Sequence, residues 1–496
     1  NNNTAASQFN WTYDGTAPTM TITATDGSSA VSDGAITNDG TLTVTFTSSE
    51  VTTDFAVGDI TVSGGALSNF SATSSTVYIA TFKPSTTGAT TIDVAANKFT
   101  DAVGNNNTAT TQFNWTFKTT YAVKKDGTGD HTTIQSAIDA SSNSDTVLVS
   151  AGTYVENIDF KGKNIVVMGE SKEATIIDGN KNGSVVTFNS GEDSTAVLKW
   201  FTITNGSGTN LENNIQGGGI FLTNQSSPTL DGLNITGNTA TTGGGLCTNY
   251  ASSPQITNSI FKNNQSIGGG KGGGLALTGD GNEILTNVII KNNSASSGQA
   301  GGVFIAIRSS AILTNVLINN NSDGGLLVHS GATPTLTNVT IASNSNDQSF
   351  GGLGLSGGSK ATLKNSIIWG NIPNSIDSYI CDGCGGIDTI SVSYSNVEGG
   401  QGSVVVGSSN DQIIWLTGNI DSDPKFVKVI TIGEEESDYH LSDWSPSIGA
   451  GTATGAPTND IENNPRPNPA GSNPDMGAFE NKWGTPQNAP PVIATQ

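Results

Sequence analysis

The chain holds only two arginines, and one of them could take part in acid–base chemistry. Arg308 and Arg466 are the only guanidinium groups among 496 residues. When the repeats described below are aligned, Arg308 stands one repeat after Asp280, and stacked strands bring equivalent residues to about 4.8 Å. The alignment favours a surface ion pair worth about 0–1 kcal/mol. A basic residue beside an acid is the catalytic alternative, for which Arg308 and Asp280 are the candidates.

His329 occupies a position that strand alternation places on the outside of the fold. Its column across the repeats otherwise contains Thr223, Asn249, Thr278, Ala306 and Ser356. Because no acid stands in that column, a surface histidine is favoured over a catalytic one. No pair of carboxylates with a definite spacing emerges from the sequence, although glycosidases on such a fold can bring their two acids from different turns.

The cysteines give little guidance. Three cysteines in 496 residues do not make a disulfide framework. Cys381 and Cys384 form one CxxC with no second pair, which favours a loop disulfide or two free thiols over a metal or redox site.

Composition and charge exclude several partners. The formal net charge is −22, whereas nucleic-acid binding needs a basic face, and cations are the natural counter-partner of such a surface. No run of 18 apolar residues occurs, so membrane insertion is not expected. The chain shows no signal peptide and begins without Met in the middle of a motif, which favours a processed or excised piece.

The elements that must position these residues are copies of one repeat between Gly218 and Asn371. A Gly-Gly pair followed by a short apolar strand begins at Gly218, Gly244, Gly273, Gly301, Gly324 and Gly351. The interval varies from 23 residues (Gly301 to Gly324) to 29 (Gly244 to Gly273). Apolar residues alternate with period two, which predicts strands. Constant strands with variable loops are typical of a solenoid. A leucine-rich repeat is excluded because no helical spacing lies between the strands.

Each repeat also carries asparagines at fixed positions. One column consists of Asn258, Asn287, Asn315, Asn338 and Asn365, between two inward-facing strand segments. Asparagine tolerates the left-handed backbone of a sharp corner, so this column predicts a ladder of stacked amides. A second column, Asn238, Asn264, Asn293, Asn321, Asn344 and Asn371, is interpreted as loop and turn residues.

The N-terminal part of the chain contains a duplicated segment. Residues 1–15 and 105–119 are identical at ten of fifteen positions, so residues 1–16 read as the closing strand of one domain and 17–118 as the next copy. About seven short alternating strands indicate an immunoglobulin-like sandwich. The phrases GTAPTMTITATDG and FTDAVGNNNTA resemble the bacterial Ig-like repeats of large surface proteins and adhesins.

That resemblance implies calcium at the joints between such repeats. The candidate ligands are Asp14, Glu50, Asp101 and Asn105, because a hard cation needs several oxygens converging from loops. Solvated turn acids are the alternative. Asp14 aligns with Lys118, so one ligand would be lost where the array meets the next domain.

The sequence pattern changes at Tyr121. Ile134, Ala137 and Ile138 have helical spacing, which predicts a short helix that covers one end of a stacked-strand core. The phrases DGTGDHTTIQSAIDA, VLVSAGTYVENI and IVVMGE resemble the start of pectin methylesterases and other right-handed parallel β-helix proteins. The resemblance implies an all-β chain: an N-terminal Ig-like sandwich, then a right-handed parallel β-helix over residues 119–400 with a short N-terminal capping helix.

The C-terminal region resembles the closing segment of bacterial surface β-helix proteins. Its phrases are DPKF, YHLSDWSPSIGAG and RPNPAGSNPDMGAFE. Residues 401–481 are expected to cap the open end of the β-helix, with Arg466 paired to Asp475 or Glu480. Residues 482–496 are interpreted as a linker or the start of a following Ig-like repeat.

The motifs that pectin methylesterases need beyond this entry, two aspartates, a glutamine pair and an arginine, are missing. The sequence therefore favours a protein that is not an enzyme: an extracellular or cell-surface module of a large adhesin, stalk or filament. The expected partners are a polysaccharide or cell-surface glycan and neighbouring Ig-like repeats of the parent protein or of another copy. The alternative is a lyase or hydrolase acting on uronic or pectin-like polymers, which fold analogy alone suggests.

Overall fold

The structure is a computed structural model that describes residues 3–85, 87–296, 299–347, 349–378, 385–429 and 437–488. It divides into two compact units. The first contains residues 1–120 and 142–146, and the second contains residues 121–141 and 147–496. Cys381, Cys384 and the last eight residues of the chain lie outside the described residues.

The first unit is a sandwich of two sheets. Its nine strands, numbered in chain order, are β1 (Met20–Thr25), β2 (Ala30–Val31), β3 (Ala35–Thr37), β4 (Leu42–Ser48), β5 (Ile60–Ser63), β6 (Gly65–Ala72), β7 (Val77–Pro84), β8 (Gly88–Val94) and β9 (Phe113–Phe117). One sheet has the order β2-β1-β4-β7-β6 and the other β3-β9-β8-β5. A 3-10 helix spans Val57–Asp59. Alternate strand residues such as Phe46, Phe82 and Trp115 fill the space between the sheets, as the period-two pattern predicts.

The second unit is a parallel β-solenoid. Its sheet A contains twenty strands: β10 (Thr120–Val123), β11 (Thr146–Val149), β12 (Gly152–Val155), β14 (Val166–Gly169), β15 (Thr175–Asp178), β17 (Val197–Lys199), β18 (Thr202–Thr204), β22 (Thr229–Asp231), β23 (Asn234–Thr236), β26 (Gln255–Thr257), β27 (Ile260–Lys262), β30 (Ile284–Lys291), β32 (Ile312–Asn319), β34 (Thr335–Thr337), β35 (Thr340–Ala342), β37 (Lys360–Lys364), β38 (Ile367–Trp369), β40 (Thr389–Ser393), β41 (Asn396–Val397) and β42 (Gln412–Trp415). Each turn contributes two segments to this sheet, one before and one after a corner.

Sheet B supplies the remaining wall of the solenoid. Its nine parallel strands are β13 (Ile158–Asp159), β16 (Val186–Phe188), β21 (Ile220–Leu222), β25 (Leu246–Thr248), β29 (Leu275–Thr278), β31 (Val303–Ala306), β33 (Leu326–His329), β36 (Leu353–Ser356) and β39 (Ile376–Asp377). Equivalent residues pair in register, for example Leu246 with Leu275. The inward columns of sheets A and B form one continuous apolar core. The predicted fold class, an Ig-like sandwich followed by a solenoid, is confirmed.

A second layer covers part of sheet B from outside. Sheet C consists of β19 (Thr209–Leu211), β20 (Asn214–Gln216), β24 (Thr239–Thr242) and β28 (Gln265–Lys271). Outward residues of sheet B, including Phe221, Cys247, Phe304 and Leu327, form an apolar cluster of their own at 0–3% exposure. The sequence places this column outside, which is right with respect to the solenoid, but the column does not face solvent.

The predicted helix is present as α1 (Ile134–Ala140), with its three apolar residues buried in the core. Both of its ends are held by charged side chains. Glu156 accepts hydrogen bonds from the amides of Ile134 and Gln135 at 2.9 and 3.0 Å. Lys163 donates from Nζ to the carbonyls of Ile138, Asp139 and Ser141 at 2.7–2.8 Å. An acid at the N-terminus and a base at the C-terminus complement the helix dipole.

Two asparagine ladders run along the corners of the solenoid. In the predicted column the backbone φ is 50–57°, and amides bond from Asn287 to Asn258 at 3.3 Å and from Asn315 to Asn287 at 3.1 Å. The second column, interpreted as loop residues, forms the longer ladder. From Asn238 to Asn371 each Nδ2 donates to the Oδ1 of the next asparagine at 2.9–3.1 Å, fully buried.

The C-terminal segment lies along the side of the solenoid. It contains the hairpin of β43 (Phe426–Lys428) and β44 (Asp438–Leu441) and the 3-10 helix Gln401–Ser403 precedes it. Tyr439 and Phe479 pack on the outward residues Leu317 and Ala342 of sheet A. Residues 438–480 therefore contact the outer face of sheet A. The sequence predicts instead that this region caps the open end of the β-helix. Apolar residues on that outward face require such a cover.

Candidate functional site

A polar strip follows the ends of the sheet B strands, where each strand leaves the second layer. We call it the rim; it consists of Asn249, Tyr250, Thr278, Asp280, Ile307, Arg308, His329 and Ser330, with Lys271 and Glu212 from sheet C and its loop. Residues of successive turns stand side by side because sheet B is parallel and in register. Polar groups from loops and from four turns lie along this strip, and binding sites on rigid scaffolds are often built in this way.

His329 lies on the last of the four turns of the rim and is half-buried. Its ring is 6.0 Å from the ring of Phe304, and Lys271 holds Nζ 5.1 Å above the same Phe304 ring. Burial first, and the charge of Lys271 second, lower the pKa of His329. Its Nδ1 is hydrogen-bonded to the hydroxyl of Ser330. The expectation of an outward histidine is met, and its neighbours are a hydroxyl and a cation.

Arg308 and Asp280 form the ion pair that the repeat alignment predicts. Nε donates to Oδ1 at 2.6 Å and Nη2 donates to Oδ2 at 2.7 Å. Both side chains are at least half exposed, so the pair contributes about 0–1 kcal/mol to stability. The bidentate geometry leaves one edge of the guanidinium open to solvent. The pair presents a fixed cation and a fixed acid at the rim.

Tyr250 provides an aromatic surface at the rim. Its side chain is 47% exposed, and its hydroxyl donates to Oε1 of Glu212 at 3.1 Å. Asn249 donates from Nδ2 to Oε1 of Gln216 at 3.2 Å. Exposed aromatic faces with adjacent amides and charges suit a ligand that has both apolar ring faces and polar edges.

Two titratable groups next to the rim are closed to solvent. Glu283 is fully buried at the turn after sheet B, where Thr248 and Ser309 each donate a hydroxyl to it at 2.7 Å. Burial raises the pKa of Glu283, and the two hydroxyls only partly offset that. Burial likewise raises the pKa of Cys247 to about 12, so this thiol is not a nucleophile. Thr248 is a polar residue in an otherwise apolar inward column. This is the feature of the sequence that indicates a buried polar partner, which in the structure is Glu283.

The predicted cation ligands of the Ig-like unit come together. Asp14, Glu50 and Asp101 have carboxylate oxygens within 4.8 Å of one another. Desolvation, then the charges of Asp14 and Asp101, raise the pKa of Glu50. Asn105 joins the cluster through its amide nitrogen, which donates to Oδ2 of Asp101 at 2.8 Å and to the carbonyl of Asp14 at 3.2 Å. Three converging carboxylates fit the oxygen donors that calcium requires.

Arg466, the other guanidinium, is structural. Its Nε donates to Oε2 of Glu480 at 2.7 Å, and both side chains are fully buried. The predicted partner Glu480 is therefore correct. Asp475, the second predicted partner, instead accepts from the amides of Gly449 and Asn481 at 2.7 and 2.6 Å.

Three family models match separate parts of the chain. Residues 14–117 match a bacterial Ig-like domain, residues 120–214 match pectinesterase, and residues 273–426 match the right-handed β-helix region. The predicted combination of a bacterial Ig-like domain with a right-handed β-helix is confirmed.

Curated relatives match a short part of the chain. A probable pectinesterase/pectinesterase inhibitor 17 of Arabidopsis thaliana is 43% identical over 72 residues, which is 14% of each chain. Pectinesterase 2 of Citrus sinensis is 42% identical over 74 residues, again 14% of each chain. The chain thus covers about one seventh of the length of these relatives.

Two solved structures are similar to parts of this chain at low identity and low TM-score. Pectin methylesterase from carrot is 14% identical, with 62% of this chain and 88% of that chain covered and a TM-score of 0.31. A xylose complex of XylC is 10% identical, with 68% and 67% covered and a TM-score of 0.40. Among the described residues, no helix has the length and apolar character to cross a membrane.

These comparisons correct one expectation. The sequence favours a protein that is not an enzyme, but the pectinesterase match over residues 120–214 and the curated pectinesterases that match part of the chain point to an enzyme. The expectation depended on missing motifs, and a missing motif is weak evidence on a fold that can bring its catalytic groups together from different turns. The chain joins a bacterial Ig-like domain to a right-handed β-helix whose first turns, within residues 120–214, match the pectinesterase family model.

Proposed function

We propose that the β-helix is an extracellular enzyme acting on a pectin-like polymer of uronic acids, and that the rim is where the polymer binds. The observation that carries this proposal is the pectinesterase match of residues 120–214, which includes α1 and the first turns of the solenoid. Fold analogy is a weak warrant for chemistry by itself, so the rim must supply the rest.

The charges of the rim support an acidic polysaccharide. The chain as a whole carries a net charge of −22, whereas on this strip the cations Lys271 and Arg308 equal the acids Asp280 and Glu212 in number, and His329 stands beside them. Guanidinium and ammonium groups recognise carboxylates, and Tyr250 can stack on a sugar ring. Stacked turns repeat about every 4.8 Å, so two or three turns span about one or two sugar units.

The rim also contains groups for ester hydrolysis. Burial first, and the charge of Lys271 second, lower the pKa of His329, which favours the neutral ring that can accept a proton. Its partner is the hydroxyl of Ser330. When His329 takes the proton of that hydroxyl, the oxygen can attack the ester carbonyl; the bond to the methoxyl group breaks and methanol leaves with the proton. Water then hydrolyses the acyl-enzyme, which releases the free acid and restores the hydroxyl. The nearby cation, Lys271, would stabilise the negative charge that develops on the carbonyl oxygen.

The deciding experiment offers the purified chain polygalacturonate, highly methyl-esterified pectin and alginate. Methanol release, new reducing ends and unsaturated uronide products distinguish esterase, hydrolase and lyase activity. We expect methanol from esterified pectin and a loss of about 10²–10⁴-fold on His329→Ala. Lys271→Ala should also lower the rate of methanol release. Lys262→Ala, which removes a lysine of sheet A, is its matched control. Absence of every product together with absence of binding would overturn the proposal.

We also propose that calcium binds between Asp14, Glu50 and Asp101. Support comes from three carboxylates within 4.8 Å of one another: desolvation first, and the charges of Asp14 and Asp101 second, raise the pKa of Glu50. The role would be structural, stiffening the entry to the Ig-like domain on an extracellular chain.

A further inference from the structure

The N-terminal segment exposes an unusual set of aromatic side chains. Residues 3–15 belong to no strand in the described structure. Phe9, Trp11 and Tyr13 are 86%, 74% and 80% exposed, and the rings of Trp11 and Tyr13 lie edge to face at 6.4 Å. Three large aromatic residues exposed to solvent on one short segment indicate a surface that a protein partner covers.

The same text is folded once in this chain. Gln112-Phe-Asn-Trp-Thr repeats Gln8-Phe-Asn-Trp-Thr, and in the second copy it enters β9. There Phe113 and Trp115 are 6% and 1% exposed, and Trp115 packs edge to face on Phe82 at 4.6 Å.

The position of β9 defines the partner that this segment would need. β9 runs antiparallel to β8, with Ala89 opposite Thr116, and parallel to β3, with Ile36 opposite Thr116. Both of its edges are thus hydrogen-bonded, and one face is in the core. In the sandwich of residues 17–117 this position is already filled by β9 itself.

We propose that residues 8–13 are the last strand of a second Ig-like sandwich, one whose position between the counterparts of β3 and β8 is open. Phe9 and Trp11 enter its core as Phe113 and Trp115 do in β9, and Asn10 and Thr12 face outward. An ordinary sheet edge is a poorer partner. Pairing with a single neighbouring strand would leave the second edge of residues 8–13 without hydrogen bonds and the rings of Phe9 and Trp11 in contact with water. Strand addition of this kind combines main-chain hydrogen bonds with pockets for alternate side chains.

The test uses two full-length chains. The acceptor carries Trp115→Asp, which removes the anchor of β9, together with Trp11→Asp, so that its own segment cannot fill the gap. The donor is the unmodified chain. Light scattering after size exclusion is expected to show a complex of one donor with one acceptor. Trp11→Asp in the donor abolishes it, whereas Thr12→Ala, an outward residue of the same segment, leaves it intact.

A second measurement covers an acceptor that fails to fold. The unmodified chain is unfolded in denaturant and refolded with an excess of labelled peptide spanning residues 3–15, which competes with β9. Retention of the peptide, and not of its Trp11→Asp version, supports the proposal. Absence of both the complex and peptide retention overturns it. Equal complex formation by the Trp11→Asp donor also overturns it, since that outcome means unspecific edge pairing.

Discussion

Arg466 donates from Nη1 to Oδ1 of Asn315 at 2.9 Å, across 151 residues of sequence. The guanidinium also bonds to Glu480 and to the carbonyl of Gly477, so one side chain joins the C-terminal segment to a corner of the solenoid. Further along the corner, Asn338 donates to the carbonyls of Asp475 and Gly477 at 3.0 and 3.1 Å. The predicted asparagine column therefore anchors the C-terminal segment as well as shaping the corner.

Arg466→Met should destabilise the solenoid unit strongly. It leaves the carboxylate of Glu480 buried without its cation, and breaking a buried pair in this way costs about 3–5 kcal/mol. Urea unfolding followed by circular dichroism measures the effect. Arg308→Met is the matched control, because its pair with Asp280 is exposed and should cost at most about 1 kcal/mol. Equal losses in the two variants would contradict a structural role for Arg466.

The C-terminal segment should loosen as the pH rises. Burial and the neighbouring charge of Glu480 raise the pKa of Asp475 to about 8. Burial lowers the pKa of His440, but its hydrogen bonds to Asp438 and Glu462 outweigh this and leave that pKa raised. Both groups hold a proton more tightly when folded, so their contribution to stability is present at low pH and is lost as pH rises through the folded pKa values.

Amide hydrogen exchange of residues 438–480, measured from low pH through the folded pKa of Asp475, tests this predicted loss of stability. The free energy of opening should fall as the pH increases toward about 8 and then level off. Asp475→Asn, which keeps the shape and removes the titration, should flatten the part of the profile that belongs to Asp475. A profile that stays unchanged in Asp475→Asn would assign the pH dependence to other groups.

The buried asparagine ladder should be worth more than the outer one. Asn321 accepts from both the backbone and side-chain nitrogens of Asn293, so Asn321→Ala leaves a buried amide without an acceptor, at about 1–3 kcal/mol. Asn258 is exposed, and Asn258→Ala should change the free energy of unfolding by no more than about 0.5 kcal/mol. Denaturant titration of the two variants decides between the columns.

The repeat itself was predictable, because its rules are local. Each Gly-Gly pair is required by close stacking of turns: a Cβ on Gly245 would lie 2.4 Å from the carbonyl oxygen of Gly274. The inward apolar columns follow from period two, and the pairing of Arg308 with Asp280 follows from the alignment of successive repeats. The three acids to which the resemblance to bacterial Ig-like repeats points, Asp14, Glu50 and Asp101, lie within 4.8 Å of one another.

Three features were not predictable from local pattern. Which asparagine column is buried along its whole length depends on the direction in which the chain leaves each corner, and Asn315, Asn338 and Asn365 of the other column are also buried. The cover over Phe304 and Cys247 comes from sheet C, whose strands are insertions of irregular length. The contact of Arg466 with Asn315 joins residues far apart in sequence, and no periodicity encodes it. All three depend on how separate segments pack, so the rim, which lies beside sheet C, could not be located in advance.

Calcium should stabilise the Ig-like unit selectively. Glu50, Asp14 and Asp101 crowd their charges within 4.8 Å, and a ligand that binds only the folded state raises the midpoint of unfolding in proportion to RT ln(1 + [L]/Kd). Addition of calcium should raise the melting temperature of the unit that contains Trp115, followed by its fluorescence, and chelator should reverse the shift. Asp101→Asn should remove the response, whereas Glu173→Gln, an exposed acid of the solenoid unit, should leave it unchanged. A shift that survives Asp101→Asn would place the ion elsewhere.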